Sequence, residues 1–324
     1  MKILLCGGAG YIGSHMAKYL ASFGHRVVVL DNLSTGHQKA VLWGELIEAD
    51  LLDSASLERV FRGQHFDAVM HFCARSLVGE SMQQPYAYYA NNVVGTLHLL
   101  DAMQRHGVEC LVFSSTAAVY GQPTSALIDE DHPTAPINPY GASKLMVERM
   151  LADAAHAYGL RSVALRYFNA AGASPDGEIG EAHTPETHLI PNVLRAALGT
   201  GPALKVFGDD YPTPDGTCVR DYVHVDDLAQ AHELALAYMD ANDGAHVFNL
   251  GNGCGFSVRE VISAAQQVTG RAIPHELAPR RAGDPAVLVA ASAKARNALG
   301  WRPQYTELAP IIASAWRWHG DPRF

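Results

Sequence analysis

Charge is scarce in this sequence. Only 18% of its 324 residues are charged, against roughly 25% in ordinary soluble domains, and just six of the 24 basic residues are lysines. Acidic residues outnumber basic ones 33 to 24, for a formal charge of −9. Such a chain has no overall field drawing it to DNA, RNA or an anionic membrane, so neither nucleic acid nor membrane is expected as a partner. An anionic ligand would have to be held locally, by a few placed arginines and backbone N–H groups. Cysteine is sparse too. Its five copies, at positions 6, 73, 110, 218 and 254, are odd in number, scattered and without a C-x-x-C pair. That argues against a disulfide framework and for buried thiols in a reducing cytoplasm. The sixteen histidines include no H-E-x-x-H and no tight Cys/His spacing, so no metal is expected. No run approaches the roughly 18 apolar residues of a membrane helix. Residues 3–6 are too short an apolar run for a secretory leader. A cytoplasmic globular protein is the expectation, and 48% hydrophobic residues suffice for a sizeable core.

What the sequence does have is alternation. Apolar runs at 2–6, 26–30, 45–49, 67–72, 110–115 and 162–168 read as strands, and helical spacing occupies 12–23, 56–61, 86–105 and 139–158 between them. Strands apolar almost throughout fit a parallel sheet covered on both faces. The expected fold is α/β, a doubly wound, Rossmann-type parallel sheet over residues 1–170. From 171 to 324 the texture changes. Gly, Pro and acidic residues gather at 172–186 and 208–216. Helical segments at 189–198, 226–239 and 258–269 alternate with strand-like pieces at 204–207 and 247–250. This reads as a smaller mixed α/β substrate lobe, with 219–240 able to pack back on the first.

The first strand runs directly into Gly7-Gly8-Ala9-Gly10-Tyr11-Ile12-Gly13. Gly7 permits a tight turn, Gly10 lets a pyrophosphate approach the backbone, and Gly13 lets helix and strand pack closely. The phosphates would sit on the helix N-terminus. Asp31, at the tip of the second strand, can accept from ribose hydroxyls and would repel a 2′-phosphate, so NAD is favoured over NADP.

A second signal is Tyr140-Gly-Ala-Ser-Lys144. Residues four apart at a helix start share one face. A phenol with a pKa near 10 is a poor base at neutral pH, and an adjacent ammonium would stabilise its phenolate. Strand five ends in Ser114-Ser115-Thr116, at the edge where open α/β sheets bind ligands. Thr116 could hydrogen-bond the substrate oxygen that yields its proton to Tyr140, or merely cap the turn that follows.

With these parts in this order, the chain resembles the extended short-chain dehydrogenase/reductase superfamily and, within it, the UDP-glucose 4-epimerases. The likeness is carried by GGAGYIGSH (7–15), DNLSTGH (31–37), HFCARSLVGES (71–81), NNVVGT (91–96), SSTAAVYG (114–121), PYGASK (139–144), LRYFNAAGA (165–173), FGDDYPTPDGTCVRDYVHVDDLA (207–229) and APRRAGDPA (278–286). The last two are the most particular to 4-epimerases. The resemblance implies an NAD cofactor and a UDP-sugar substrate, epimerised at C4 through a transient 4-ketose.

It also implies residue roles. Catalysis would fall to Thr116, Tyr140 and Lys144. The pyrophosphate turn would use Gly7, Gly10, Tyr11, Ile12 and Gly13. Asp31, Asn32, Leu33, Ser34 and Thr35 would hold the adenosine ribose, and Asp50 and Leu51 the adenine. Phe72, Cys73, Ala74, Asn91, Ser114 and Phe168 would line the rest of the NAD channel. UDP would meet Asn169, His188 and Leu189, then Lys205, Val206 and Phe207, then Arg220, Tyr222, Arg281 and Asp284. Arg220 could equally pair with its neighbour Asp221, and Arg281 could be a solvated surface charge. Two departures from the family pattern stand out: Ser76 replaces a lysine, and His188 an asparagine. Leu288 occupies a wall position where some members carry tyrosine, leaving more room beside the sugar's C2 substituent.

The resemblance leaves UDP-pentose or UDP-hexuronate epimerisation as an alternative. A 4,6-dehydratase would need an acid pair after Thr116, where Ala117-Ala118 stands. A non-catalytic dinucleotide sensor would not need both Tyr140 and Lys144. Helices at 86–105 and 139–158 carry more apolar positions than one buried stripe requires, including Met146, Val147, Met150 and Leu151, so a homodimer is expected.

Overall fold

The apolar runs of the first half become parallel strands of one sheet. In the computed structural model of the protein, which describes residues 1–281 and 284–324, β1 (Lys2–Cys6), α1 (Tyr11–Ser22), β2 (Arg26–Asp31), β3 (Glu45–Glu48), α2 (Ser54–Gly63) and β4 (Ala68–His71) come first. The short helices α3 (Val78–Gln83) and α4 (Pro85–Tyr88) precede α5 (Gly95–Arg105), β5 (Cys110–Thr116), α6 (Pro139–Tyr158) and β6 (Arg161–Tyr167). Then follow β7 (Asn169–Ala171), α7 (Leu189–Leu198), β8 (Leu204–Phe207), β9 (Val219–Arg220), β10 (Tyr222–His224), α8 (Val225–Tyr238) and β11 (Ala245–Leu250). The chain closes with β12 (Phe256–Ser257), α9 (Val258–Thr269), β13 (His275–Ala278), β14 (Val287–Leu288), α10 (Ala293–Ala298) and α11 (Leu308–Gly320).

The main sheet has seven strands in the order β11-β6-β5-β4-β1-β2-β3, all parallel. Successive β1 side chains point to opposite faces. Ile3 and Leu5 join a core with Met16 and Leu20 of α1 and Leu228 of α8. Leu4 and Cys6 join one with Leu57, Leu99 and Val147 from α2, α5 and α6. Sequential strands run outward in both directions from the β1–β4 pair, so a crevice opens at their C-terminal ends. That crevice is where the glycine turn after β1 and the segment after β4 meet.

Two elements differ from the sequence reading. Residues 247–250, read as part of the smaller lobe, lie in β11, the edge strand of the main sheet, paired with β6 from Ala245↔Ser162 to Leu250↔Tyr167. The run is too short for its periodicity to say which sheet it joins. Residues 86–105, read as one helix, contain a wider π turn at Tyr89–Val94. There Asn92 is buried and donates to the Arg75 carbonyl and the Ser143 hydroxyl, both at 3.0 Å. The smaller lobe packs α7, α9 and α11 around Leu194, Val206, Val261 and Ile311, with β8 and β13 paired beside them.

Candidate active site

One cavity of about 1870 Å³ runs from the glycine turn to the smaller lobe. At its cofactor end the glycines are required by contact. Gly7 has φ +85°, and a Cβ there would lie 2.7 Å from the Cys73 nitrogen. A Cβ on Gly13 would lie 2.1 Å from the Gly7 oxygen. Gly10 is the N-cap of α1 and offers no side chain to its amides, which leaves that end of the helix suited to an anion. Asp31 is buried and accepts from the backbone nitrogens of Ala9 and Leu33, both at 2.9 Å. Burial raises its pKa while those two N–H groups pull it down. A carboxylate has about four lone-pair sites, so Asp31 retains capacity for ribose hydroxyls. Asn32 donates to Asp50 at 2.8 Å, tying the two loop tips together. Ser34, Thr35, Leu51, Phe72, Ala74, Ser76, Asn91 and Phe168 line the same cavity. Leu33 does not: it holds the loop in its positive-φ turn (φ 56°). The donor set and glycine cradle fit a dinucleotide.

At the middle of the cavity stand Thr116, Tyr140 and Lys144. Asn138 caps α6, accepting from the Gly141 nitrogen at 2.8 Å, with Pro139 in the first turn. Tyr140 and Lys144 thereby occupy successive turns facing the end of β5. The Lys144 ammonium donates to the Ser114 carbonyl at 2.8 Å and sits 4.7 Å from the Phe113 ring centroid. Burial lowers its pKa to about 7, opposed by Cys73 and Glu148. Burial raises the Tyr140 phenol, and its hydrogen bond with Thr116 opposes this. Thr116 also accepts from the Ala118 nitrogen at 3.1 Å, so the capping and phenol-facing roles coexist.

The substrate end departs from the sequence reading in instructive ways. Arg220 does not pair with Asp221. Its guanidinium binds Asp284, while Asp221 accepts backbone N–H bonds from Asn252, Gly253 and Ala290. Two residues expected to touch UDP thus meet each other across 64 positions. Arg281 lies 3.9 Å above the Phe207 ring centroid, so it is not simply a solvated charge. Residues 282 and 283 of the APRRAGDPA motif lie outside the described residues. Lys205 and Phe207 line the cavity, but Val206 is 2% exposed and packs in the lobe core. Strand alternation sends its side chain to the other face of β8, so Val206 does not present its side chain to the cavity. Asn169, Leu189, Tyr222 and Leu288 line the cavity as expected.

A family model described as the NAD dependent epimerase/dehydratase family matches residues 3–251. The chain belongs to this family. It is 53% identical over 321 residues to a UDP-glucose 4-epimerase of Halalkalibacterium halodurans, covering 99% of this chain and 96% of that one. Its structure is similar to that of UDP-glucose 4-epimerase from Brucella ovis in complex with NAD, with TM-score 0.95, 52% identity and 97% of each chain covered. It is similar also to the Bifidobacterium longum UDP-glucose 4-epimerase in complex with NAD+ and UDP, with TM-score 0.95, 39% identity and 99% of each chain covered. The resemblance read from the motifs is borne out.

Around His188, which the sequence reading had named, stand residues of this epimerase-family site that it missed. His188 lines the cavity, and its Nδ1 meets Glu181 at 2.7 Å and Glu186 at 3.0 Å. His183 joins them, 3.0 Å from Glu181. Burial opposes charge on His188, but the two carboxylates outweigh it and raise its pKa to about 10. Burial likewise opposes charge on Glu181, and the two imidazoles pull its carboxyl down to about 2. Position 188 therefore presents a cation to the cavity. These four side chains bring potential ligand atoms within 4.8 Å of one another. The spacing E-x-H-x-x-E-x-H at 181–188 was the available signal. Arg75 lines the wall beside Ser76 and pairs with Glu80 at 3.5 Å. Glu148, one turn beyond Lys144 on α6, forms a buried ion pair with Arg166.

Proposed function

We propose that the protein is an NAD-dependent UDP-sugar 4-epimerase whose principal pair is UDP-glucose and UDP-galactose. The observation that carries this is the placing of Tyr140, Thr116 and Lys144 midway along one cavity, between the glycine turn and the Arg220–Asp284–Arg281 rim. NAD, when bound, supplies the hydride acceptor and donor for C4. Tyr140 takes the proton from the C4 hydroxyl and later returns one, Thr116 orients that oxygen, and Lys144 stabilises the phenolate. Arg220 and Arg281 supply charge-assisted donors for the diphosphate, Asp284 being exchanged as Arg220's partner. A firmly held UDP with a loosely held sugar lets the 4-ketose present its other face. The reaction is redox-neutral, so a retained cofactor suffices. Purified protein that cannot convert UDP-galactose to UDP-glucose overturns this reading. A product screen over UDP-xylose and UDP-glucuronate separates it from pentose and uronate epimerases.

Leu288 supports a broader sugar range. It lines the cavity while packing against the cluster of Ala117, Val119, Tyr120 and Ile128, and a leucine leaves space that a tyrosine would fill. Wild type should turn over UDP-N-acetylglucosamine measurably, and Leu288→Tyr should reduce that activity while sparing the hexose. No N-acetylhexosamine turnover at saturating substrate would sink the argument.

The homodimer and cytoplasmic expectations belong to the same proposal. Val94, Leu97 and Met146 are exposed on the α5–α6 side, 42–53% accessible, and a two-fold helix bundle would cover them. Val147 and Leu151 are instead core residues. All five cysteines are unpaired, in keeping with a reducing compartment. Among the described residues no helix is long and apolar enough to cross a membrane.

A further inference from the structure

Glu148 lies one helical turn beyond Lys144 and two beyond Tyr140 on α6, roughly 6 and 12 Å along an axis that rises 1.5 Å per residue. Its side chain is 6% exposed. One carboxylate oxygen accepts from the Ser115 hydroxyl at 2.5 Å and from Arg166 Nε at 2.9 Å, and the other accepts from Arg166 Nη2. The second terminal nitrogen of Arg166 donates to the Tyr120 hydroxyl at 2.9 Å, which donates to Asn249 Oδ1 at 2.7 Å. The carboxylate is thus bolted to β5, β6 and, through Asn249, β11. Ser115 directly precedes Thr116, and Arg166 directly precedes Tyr167, whose hydroxyl bonds Ser114. Glu148, Ser115, Arg166, Tyr120 and Asn249 do not line the cavity.

When Tyr140 acts as a base, it and Lys144 share one proton. That proton rests on the phenol beside a neutral amine, or on the amine beside a phenolate. The two forms carry the same net charge, so their surroundings decide between them. Burial favours the neutral form, since it raises the phenol and lowers the ammonium. Two other groups around the pair act to keep Lys144 charged, Cys73 and Glu148. His71 on β4 is bonded to Thr96 and kept neutral by burial. Burial also keeps Cys73, after β4, and Tyr167 on β6 as neutral thiol and phenol. Arg166 is positive but saturated by Glu148 and Tyr120. Glu148 is the carboxylate that acts on Lys144, and it follows Lys144 by one helical turn and Tyr140 by two.

We propose that Glu148 is a positioning residue for proton transfer: fixed by Ser115 and Arg166, its charge places the proton shared by Tyr140 and Lys144 on the lysine and leaves Tyr140 a phenolate. This rests on the reading of Tyr140 as the acid–base group. The test is E148Q, which keeps the side chain's shape and removes its charge. Tyrosinate at position 140 is followed in NAD-loaded protein as ultraviolet difference absorbance against Tyr140→Phe, titrated between about pH 6 and 10. The tyrosinate fraction at neutral pH should fall about fivefold or more in E148Q. The kcat for UDP-galactose should fall about tenfold with KM within twofold, and E148D should restore part of both. A wild-type tyrosinate fraction in E148Q, even with kcat reduced, overturns the proposal and leaves Glu148 a structural brace. Absence of tyrosinate in wild type across that range overturns it too. If E148Q does not retain NAD, S115A decides, because it loosens the carboxylate without stranding a charge. A several-fold loss of tyrosinate and kcat in S115A supports the proposal, and no change overturns it. Wild type inactive on UDP-sugars would remove the functional reading, while the tyrosinate comparison would still judge this one.

Discussion

Tyr140 carries the sharpest test at the scale of one residue. Removing its hydroxyl leaves the α6 backbone, the glycine turn and Asp31 untouched, so Tyr140→Phe should retain NAD, as mass spectrometry of the released nucleotide would show. Its turnover should fall about 10²- to 10⁴-fold, the usual worth of a placed acid–base group. Tyr140 and Lys144 were legible in the sequence because their relation is local, four positions on one helix. Gly7 and Gly13 were legible because a short-range turn dictates glycine, and the crowding at both positions bears that out. Arg220 was legible as a candidate but not in its company. Its partner Asp284 lies 64 residues away, and no periodicity links the two. Glu148 repeats the Lys144 spacing, yet helical spacing alone cannot separate a buried functional carboxylate from a solvated one.

At the scale of elements, the segment entering α7 concentrates unusual charge. Glu181 and Glu186 are 4% and 3% exposed, and histidines are the partners they meet among the ion pairs of the described residues. His188 in the folded protein has its pKa raised from 6.5 to about 10. A raised histidine stabilises the fold fully below its unfolded value and loses that contribution as pH rises through the folded one. Wild-type melting temperature should therefore decline from about pH 7 towards pH 10. In His188→Asn the decline over that interval should be shallower, with a lower plateau at mildly acidic pH. Scanning calorimetry across the range checks this, and parallel curves would refute it. The lobe helices at 189–198 and 258–269 were readable from apolar spacing alone. The π turn at Tyr89–Val94 was not, since the buried bond from Asn92 to Ser143 that accompanies it spans 51 positions.

For the whole molecule, the exposed face of α5 and α6 makes a further prediction. Wild type should scatter light as twice the 34.9 kDa chain mass. Leu97→Glu combined with Met146→Glu should give single chains, since both side chains are about half exposed and neither belongs to the cores that hold the helices to the sheet. A wild type already at the single-chain mass would refute the pairing. The doubly wound sheet was legible from the alternation of runs, because parallel strands must be apolar on both faces. The membership of β11 was not, and it has a consequence in time. On the ribosome, six strands emerge by residue 167, but the edge that flanks β6 arrives only with residues 245–250, after α8 has been made to lie across α1. Until then β6 offers an open row of N–H and C=O groups to any strand nearby. A chain halted at residue 170 should accumulate as insoluble protein, whereas one halted past 250 should not. For this protein, the interval between those two points is the stretch of synthesis during which a chaperone is most needed.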